Sequence, residues 1–231
     1  SEGLVDEKAL RAQVERHITS GVSAVFVLGT NGEFFSLDEC EKEQVIHTSV
    51  EQSNHRIPII AGVGCPTTMQ TVRLARKAEA LGADALSVIT PYFGKTTDSS
   101  MIDFYKAVAA SVSIPILLYN IPMRTGNSIS PQALKELSRI PGIAAIKDSS
   151  GNFDNTLRYL EITNRQFPVL AGNDSLILST LLAGGAGAIA GTANLFPNKV
   201  SGIYRAFMQG NLEEATRIQD GLRPIRNCFC I

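Results

Sequence analysis

Short apolar runs alternate along the chain with amphipathic segments, and polar turns separate the two. Most runs follow one another at about the 30-residue spacing of a strand–helix unit. Because the runs are continuous rather than alternating, they predict strands that are covered on both faces, as in a parallel sheet. The seven predicted strands are residues 22–28, 57–63, 83–89, 114–119, 143–146, 169–171 and 186–190.

Helix signals fill the gaps between these runs. The segment 5–19 has helical periodicity, and Gly82 suits the end of a helix that presents an apolar face. Capping patterns mark further helix starts, because a polar side chain there can accept the free N–H groups of the first turn. The predicted starts are Ser36 with Glu39, Thr67 with Gln70, Ser130 with Pro131, and Asn211 with Glu214.

Repeated strand–helix units in one uninterrupted run predict an α/β fold, either a closed barrel or a doubly wound sheet. A length of 231 residues with 44% hydrophobic content suits one domain with a sizeable core, and we expect residues 1–231 to form it. The seven strands are one fewer than a closed barrel of eight requires. If the fold is a barrel, we expect its opening strand before Ser1.

Charge and hydropathy exclude several classes of partner. The net charge of -1 comes from 21 basic and 22 acidic residues that are spread along the chain, which argues against nucleic acid. No apolar stretch approaches the roughly 20 residues that a membrane-spanning helix needs. We therefore expect a soluble protein that binds neither nucleic acid nor a membrane.

The cysteines and histidines indicate neither a disulfide framework nor a metal site. Cys40, Cys65, Cys228 and Cys230 form no CxxC pair, which favours a reducing compartment such as the cytoplasm. Cys228 and Cys230 lack the second ligand pair that a tetrahedral site needs. The three histidines fall in or beside predicted helices, so we expect neither a metal nor a histidine-based triad.

Lys147 is the strongest candidate for chemistry, because it ends an apolar strand. In a parallel barrel, functional side chains gather at the carboxyl ends of the strands. An ammonium group there is poorly hydrated, which lowers the lysine pKa and leaves a neutral amine able to attack a ketone. The alternative is a structural lysine that pairs with Asp148 or another carboxylate, and position alone favours neither reading.

Two further strand ends carry polar groups. Residues 29–33 follow the first predicted strand, and free N–H groups near a helix start suit a carboxylate or phosphate, although a plain turn has the same composition. Tyr119 ends another strand, where its hydroxyl could pass protons. The planar guanidinium of Arg124 could donate two parallel hydrogen bonds to a carboxylate. A core aromatic and a surface arginine are the alternatives for these two residues.

Five motifs in this order resemble the dihydrodipicolinate synthase / N-acetylneuraminate lyase family of class I aldolases. Each motif alone is unspecific, whereas the ordered set is specific and extends over nearly the whole chain. The motifs are GTNGE at 29–33, TPYF at 90–93, YNIPMRTG at 119–126, IKDSSG at 146–151 and AGNDS at 171–175.

The resemblance implies a (β/α)8 TIM barrel with a helical C-terminal extension, which the last ~20 residues begin. It also implies a homo-oligomer, usually a tetramer built from dimers. Lys147 would form a Schiff base with pyruvate, Tyr119 and Thr30 would move the proton, and no metal or organic cofactor would be needed. The implied substrate-binding residues are Gly29, Thr30, Asn31, Arg124, Gly172 and Ile189.

Two positions depart from the family pattern. Asn31 stands where the family commonly has threonine. Phe93 stands where the synthases usually carry a tyrosine whose hydroxyl joins a proton relay across a subunit interface. Arg124, in contrast, matches the arginine that in the synthases meets the carboxylate of aspartate semialdehyde.

Three functions follow from these residues. Arg124 favours a dihydrodipicolinate synthase-like lyase that joins pyruvate to aspartate semialdehyde. Asn31 and Phe93 favour an aldolase for a 2-keto-3-deoxy sugar acid or a 4-hydroxy-2-oxoglutarate type substrate. A keto-acid-binding barrel without catalysis is the third, and the retained Lys147, Tyr119 and Thr30 argue against it.

Overall fold

The computed structural model describes residues 4–229 and, of residues 227 and 229, the backbone alone. Seven parallel strands in the described part form one sheet, and each strand pairs with the next along the chain. The strands are β1 (Val25–Val27), β2 (Ile59–Gly62), β3 (Ala85–Ile89), β4 (Ile116–Asn120), β5 (Ile143–Asp148), β6 (Val169–Ala171) and β7 (Gly187–Ala188).

Helices precede, connect and follow these strands. No helix in the described part is both long enough and apolar enough to cross a membrane. The helices are α1 (Glu7–Thr19), α2 (Glu39–Ser53), α3 (Thr68–Ala80), α4 (Asp98–Ala109), α5 (Pro122–Thr125), α6 (Pro131–Leu137), α7 (Phe153–Ile162), α8 (Ile177–Leu182), α9 (Pro197–Met208), α10 (Leu212–Gly221) and α11 (Arg223–Phe229).

The strand order is that of an α/β barrel. A doubly wound sheet reverses its strand order at a switch point, whereas β1 to β7 follow the sequence without a reversal. All seven predicted strands are present, although β1, β2, β3, β4 and β7 are shorter than predicted. β5 runs two residues further than predicted, to Asp148, and therefore includes Lys147.

Local capping signals placed three of the four predicted helix starts correctly, and each cap side chain accepts the N–H three residues further on. These caps are Thr67, Ser130 and Asn211. The prediction for Ser36 with Glu39 is wrong, because the capping box of α2 is formed by Asp38 and Glu41. A carboxylate cap also complements the positive end of the helix dipole, which favours Asp38.

The apolar residues form two buried clusters. The larger one lies within the sheet and under the helices that cover β1 to β6. The smaller one joins α8, α9 and α10, and α11 continues the chain beyond them, so the C-terminal helical extension is present. Its buried members are Ile177, Leu178, Leu181, Ile203, Ala206, Ala215 and Leu222.

Helix α1 holds the loop after β7 near the start of the sheet. The Gln13 side chain donates to the carbonyl of Asn194 at 3.1 Å, and the guanidinium of Arg16 donates to the same carbonyl. In the described part, β1 pairs only with β2 and β7 only with β6. Helix α1 packs on α2, and α2 packs on β1. The polar contacts from α1 therefore link the loop after β7 to the β1 end of the sheet.

Candidate active site

Lys147 lies in the middle of the sheet, on β5, between Tyr119 of β4 and Leu170 of β6. It is 8% exposed. Its Nζ lies 4.3 Å from the centroid of the Tyr119 ring and 5.2 Å from that of Phe26. Because strand side chains fill the interior of a barrel, the Lys147 amine lies among apolar and aromatic side chains there.

Burial lowers the pKa of Lys147 to about 8, because the ammonium form loses its hydration there. The carboxylate of Asp174 opposes part of this effect. At pH 7 roughly a tenth of the Lys147 side chains are therefore neutral, whereas an ordinary lysine is neutral in roughly one molecule in three thousand. The neutral amine is the form that attacks a carbonyl carbon.

Asp148 does not neutralise Lys147, although it is the next residue in the chain. Successive strand residues point to opposite faces of the sheet. Four other groups donate hydrogen bonds to the Asp148 carboxylate, and the described ion pairs do not include Lys147. The donors are Asn120 Nδ2, Ser150 N, Asn155 Nδ2 and Thr156 Oγ1, at 2.9–3.1 Å. The reading of Lys147 as the ion-pair partner of Asp148 therefore fails.

Three hydroxyl groups gather beside the amine. Thr30 Oγ1 lies 3.1 Å from the hydroxyl of Tyr119, and the Ser149 hydroxyl acts on the pKa of the same phenol. Burial raises the pKa of Tyr119, and both hydroxyl neighbours and the charge of Arg124 oppose the rise. The phenol is therefore protonated at neutral pH and can exchange protons with its neighbours.

Sequence reasoning missed Ser149 and Asp174 as members of the site. Ser149 follows Lys147 by two residues and comes directly after the end of β5, and the two-residue alternation of a strand favours the same side for both, which was a usable signal. Asp174 belongs to the AGNDS motif, but nothing local indicates that its carboxylate acts on Lys147. The carboxylate of Asp174 raises the pKa of Lys147, and this effect depends on how the folded chain places the loop after β6 beside β5.

The loop after β1 turns sharply. Leu28 and Glu33 both adopt left-handed backbone conformations, with φ of 58° and 51°, and they flank a 3-10 turn at Thr30–Gly32. For residues other than glycine such conformations are uncommon, and they concentrate at functional sites. The first N–H groups of such a turn have no acceptor within it, so Thr30 and Asn31 can offer theirs to an anion.

Arg124 and Phe93 lie on exposed segments near this site. Arg124 is part of the short helix α5, and its charge acts on the Tyr119 hydroxyl. Phe93 has φ of 76° and a fully exposed side chain. Asn127 fixes the Phe93 loop, because its Nδ2 donates to two of the loop's carbonyls at 2.7 and 2.8 Å. Within one chain, Phe93 therefore stays in solvent.

Gly172 and Ile189 line the same end of the sheet. The N–H of Gly172 donates to the carbonyl of Asp148 at 2.8 Å, and that of Ile189 donates to Ala171 at 2.9 Å. A Cβ atom added to Gly172 would overlap Ser149 Oγ and would lie 3.0 Å from Lys147 Cε. The missing side chain at position 172 therefore leaves the space in which Lys147 and Ser149 fit together.

Gly172→Ala is expected to reduce turnover on the order of a hundred-fold, because the added methyl group displaces Lys147 and Ser149. The free energy of unfolding should fall by only about 1–3 kcal/mol, as is usual for local overpacking. Turnover and thermal unfolding of the purified variant measure the two effects. Gly221→Ala is the matched control, since nothing lies within 4 Å of a Cβ there. Equal turnover of the two variants would show that the space beside Lys147 is not needed.

Among residues 4–229, no group of three or more His, Cys, Asp or Glu side chains is arranged so that it could hold a metal ion. Cys40, Cys65 and Cys228 are free thiols. Cys230, the second member of the C-terminal cysteine pair, lies outside the described residues.

Comparisons with known proteins agree on one family. A family model described as the dihydrodipicolinate synthetase family matches residues 1–231. The 4-hydroxy-tetrahydrodipicolinate synthase of Geobacter sp. (strain M21) is 40% identical over 229 residues, which cover 99% of this chain and 79% of that protein.

Solved structures that resemble this chain belong to the same family. The dihydrodipicolinate synthase of Aquifex aeolicus has 36% identity and a TM-score of 0.96, and the match covers 100% of this chain and 79% of that one. YagE, a prophage protein of the dihydrodipicolinic acid synthase family from E. coli K12, was solved with pyruvate. It has 29% identity and a TM-score of 0.95, and the match covers 98% of this chain and 78% of that one.

Proposed function

This chain belongs to the dihydrodipicolinate synthetase family, and we propose that it is a 4-hydroxy-tetrahydrodipicolinate synthase, which joins pyruvate to aspartate semialdehyde. Members of the family are class I lyases that act through a lysine Schiff base. The observation that carries the proposal is the buried amine of Lys147, whose pKa is lowered to about 8. It lies beside the hydroxyl pair of Tyr119 and Thr30.

The amine of Lys147 attacks the keto carbon of pyruvate, and water leaves as the imine forms. The protonated imine draws electrons from the neighbouring methyl group, so that a methyl proton departs and an enamine forms. The enamine carbon then bonds to the aldehyde carbon of the second substrate, and the aldehyde oxygen takes up a proton. Finally the amino group of that substrate attacks the imine carbon, which closes the ring and frees Lys147.

Tyr119 is the proposed proton carrier for these steps. Its hydroxyl bonds to Thr30 Oγ1, and Ser149 supplies a second hydroxyl neighbour. Thr30 and Ser149 are both partly exposed, so either can pass a proton between Tyr119 and solvent. Phe93 has no hydroxyl, and in this proposal it takes no part in proton transfer.

The carboxylates of the substrates need separate binding groups. The N–H groups of Thr30 and Asn31, with the turn at Gly29, suit the carboxylate of pyruvate. The exposed guanidinium of Arg124 suits the carboxylate of aspartate semialdehyde, because it can donate two parallel hydrogen bonds. Gly172 and Ile189 are the proposed wall beside the keto acid. Since the lysine supplies the electrophile, the proposal needs no metal or organic cofactor.

Borohydride reduction in the presence of pyruvate tests this proposal directly. We expect a reduced pyruvate adduct on the Lys147 peptide, detected by mass spectrometry. The rate of trapping should rise with pH through about 8, because the neutral amine is the attacking form. A folded sample that forms no adduct, or forms it on another lysine, would exclude Lys147 as the Schiff-base residue.

A 2-keto-3-deoxy sugar acid or 4-hydroxy-2-oxoglutarate type aldolase is the second candidate. It is favoured by Phe93, which cannot supply a hydroxyl, and by the exposed amide of Asn31 near the loop of Gly191. Coupled assays with aspartate semialdehyde and with sugar-derived aldehydes separate the two candidates. Comparable turnover of both aldehydes would mean that neither substrate assignment is correct.

We further propose a single catalytic domain, a homo-oligomer (dimer or tetramer) and a cytoplasmic location. The fully exposed Phe93 on a rigid loop supports an interface between copies of the chain, since large exposed apolar groups mark interaction sites. The free thiols of Cys40, Cys65 and Cys228 suit a reducing compartment. Light scattering of the purified protein measures the oligomeric state.

A further inference from the structure

The buried side chain of Asn127 fastens the loop that follows β3. Its Nδ2 donates to the carbonyls of Pro91 and Gly94 at 2.8 and 2.7 Å, and its Oδ1 accepts the N–H of Thr96 at 3.0 Å. Asn127 is 4% exposed, so these bonds lie out of solvent. The nitrogen and the oxygen of one amide therefore both serve the Phe93 loop (residues 91–96).

Two buried threonines join the same two segments. Thr90, which precedes the Phe93 loop, donates through Oγ1 to Thr125 Oγ1 at 2.9 Å, and Thr125 Oγ1 donates to the carbonyl of Asn127 at 2.8 Å. On the exposed side, the ammonium of Lys95 donates to the carbonyl of Gly126. We call Thr90, Thr125 and Asn127 the threonine–asparagine cluster.

Arg124 lies directly beside this cluster. Helix α5 is a single turn of four residues, and so short a helix is not stable without contacts from outside. Thr125 and Asn127 are buried and Arg124 is exposed, so the cluster holds the inner side of this segment and leaves the guanidinium outside. The described ion pairs do not include Arg124. The place of its backbone therefore decides what the guanidinium can reach.

We propose that Asn127 is a positioning residue for the second substrate, because it holds the turn that presents Arg124. Asn127 acts through this turn and does not touch the substrate. The inference rests on the proposed function, in which Arg124 binds the carboxylate of aspartate semialdehyde. Formation of the pyruvate imine uses Lys147 and Tyr119, which lie outside the threonine–asparagine cluster, and should not depend on Asn127.

The backbone of the Phe93 loop explains why the loss of these bonds should move the turn. Phe93 has φ of 76°, a strained conformation for a residue other than glycine, and such strain persists only where surrounding contacts hold it. Without the Asn127 amide, the loop is expected to relax. The segment of Gly126 is bonded to this loop and should shift with it.

The test measures the two substrates separately in Asn127→Ala and Thr90→Val. Alanine removes three hydrogen bonds, whereas valine removes the bond to Thr125 and keeps the shape of the side chain. We expect the KM for aspartate semialdehyde to rise on the order of ten-fold in Asn127→Ala and by a smaller factor in Thr90→Val. The rate and plateau of pyruvate trapping by borohydride should stay near the wild-type values. Asn198→Ala is the matched control, because Asn198 is an exposed asparagine on α9.

An Arg124→Ala background shows whether Asn127 acts through Arg124. In that background Asn127→Ala should raise the KM no further, because the group that it positions is already gone. An equally large rise there would overturn the proposal. So would lower thermal stability and a lower trapping plateau with an unchanged KM, which indicate a merely structural role. Thr90→Val carries the same comparison if Asn127→Ala does not fold.

Failure of the proposed function would be visible before any comparison of Asn127 variants. A wild-type chain that traps pyruvate but does not turn over aspartate semialdehyde would overturn the substrate assignment, and this inference with it. The same holds if Arg124→Ala alone leaves the KM for aspartate semialdehyde unchanged.

Discussion

Lys147→Ala is expected to abolish the borohydride-trapped pyruvate adduct and to lower kcat/KM by ~10³-fold or more, because it removes the buried amine that forms the imine. Trapping and a coupled condensation assay measure the two effects. Lys106→Ala, on the exposed face of α4, is the matched control and should keep full activity. A Lys147→Ala enzyme with wild-type turnover would rule out the covalent mechanism.

The same lysine is expected to cost folding stability. Burial lowers its pKa from 10.5 to about 8, so at pH 7 the folded state must hold a charge that is better hydrated in the unfolded chain. The shift corresponds to a penalty of up to about 3 kcal/mol, which is complete below pH 8 and disappears as the pH rises toward 10.5.

Lys147→Met should therefore unfold at a higher temperature than the wild type at pH 7, because methionine fills similar space without a charge. The advantage should shrink as the pH rises through about 8 and beyond, where the wild-type lysine is already neutral when folded. Thermal unfolding at several pH values measures this trend. A difference that does not change with pH would mean that lysine desolvation is not its cause.

Asp148→Ala is expected to be the most destabilising substitution near the site, with a loss of about 3–5 kcal/mol in the free energy of unfolding. The 4% exposed carboxylate accepts four hydrogen bonds, so its removal leaves buried donors unpaired. For a chain of this size, such a loss corresponds to roughly 10 °C in Tm or more.

Thermal or urea unfolding measures the effect of Asp148→Ala, and Asp154→Ala is the matched control. The Asp154 carboxylate pairs with Arg158 at 3.0 Å, but both side chains are 64% exposed, so its removal should cost less than about 1 kcal/mol. Asp148→Asn should lie between the two, because the amide keeps the shape and one acceptor oxygen. Equal losses in the two alanine variants would mean that the network around Asp148 contributes little.

The sheet could be predicted from the sequence because its signal is local. Each strand buries both faces, so each appears as a continuous apolar run, and the spacing of the runs indicates the helices between them. Capping signals such as Thr67 and Ser130 are equally local and were confirmed. The competition between Ser36 and Asp38 for the start of α2 was not decided by local pattern, since both can cap a helix.

Parts of the candidate site also followed from the sequence. Lys147 and Tyr119 stand at the ends of apolar runs, and parallel strands place such ends together, so their proximity was predictable. The ordered motifs then identified the family that the comparisons confirm.

The electrostatics and the support of the site were decided by tertiary structure alone. The separation of Lys147 from Asp148, the effect of Asp174 on the lysine pKa and the bonds from Asn127 to the Phe93 loop all depend on which side chains meet across distant segments. Hydrophobic periodicity places residues on faces of strands and helices. Desolvation and hydrogen bonding depend on what covers those faces, and only the folded chain determines that.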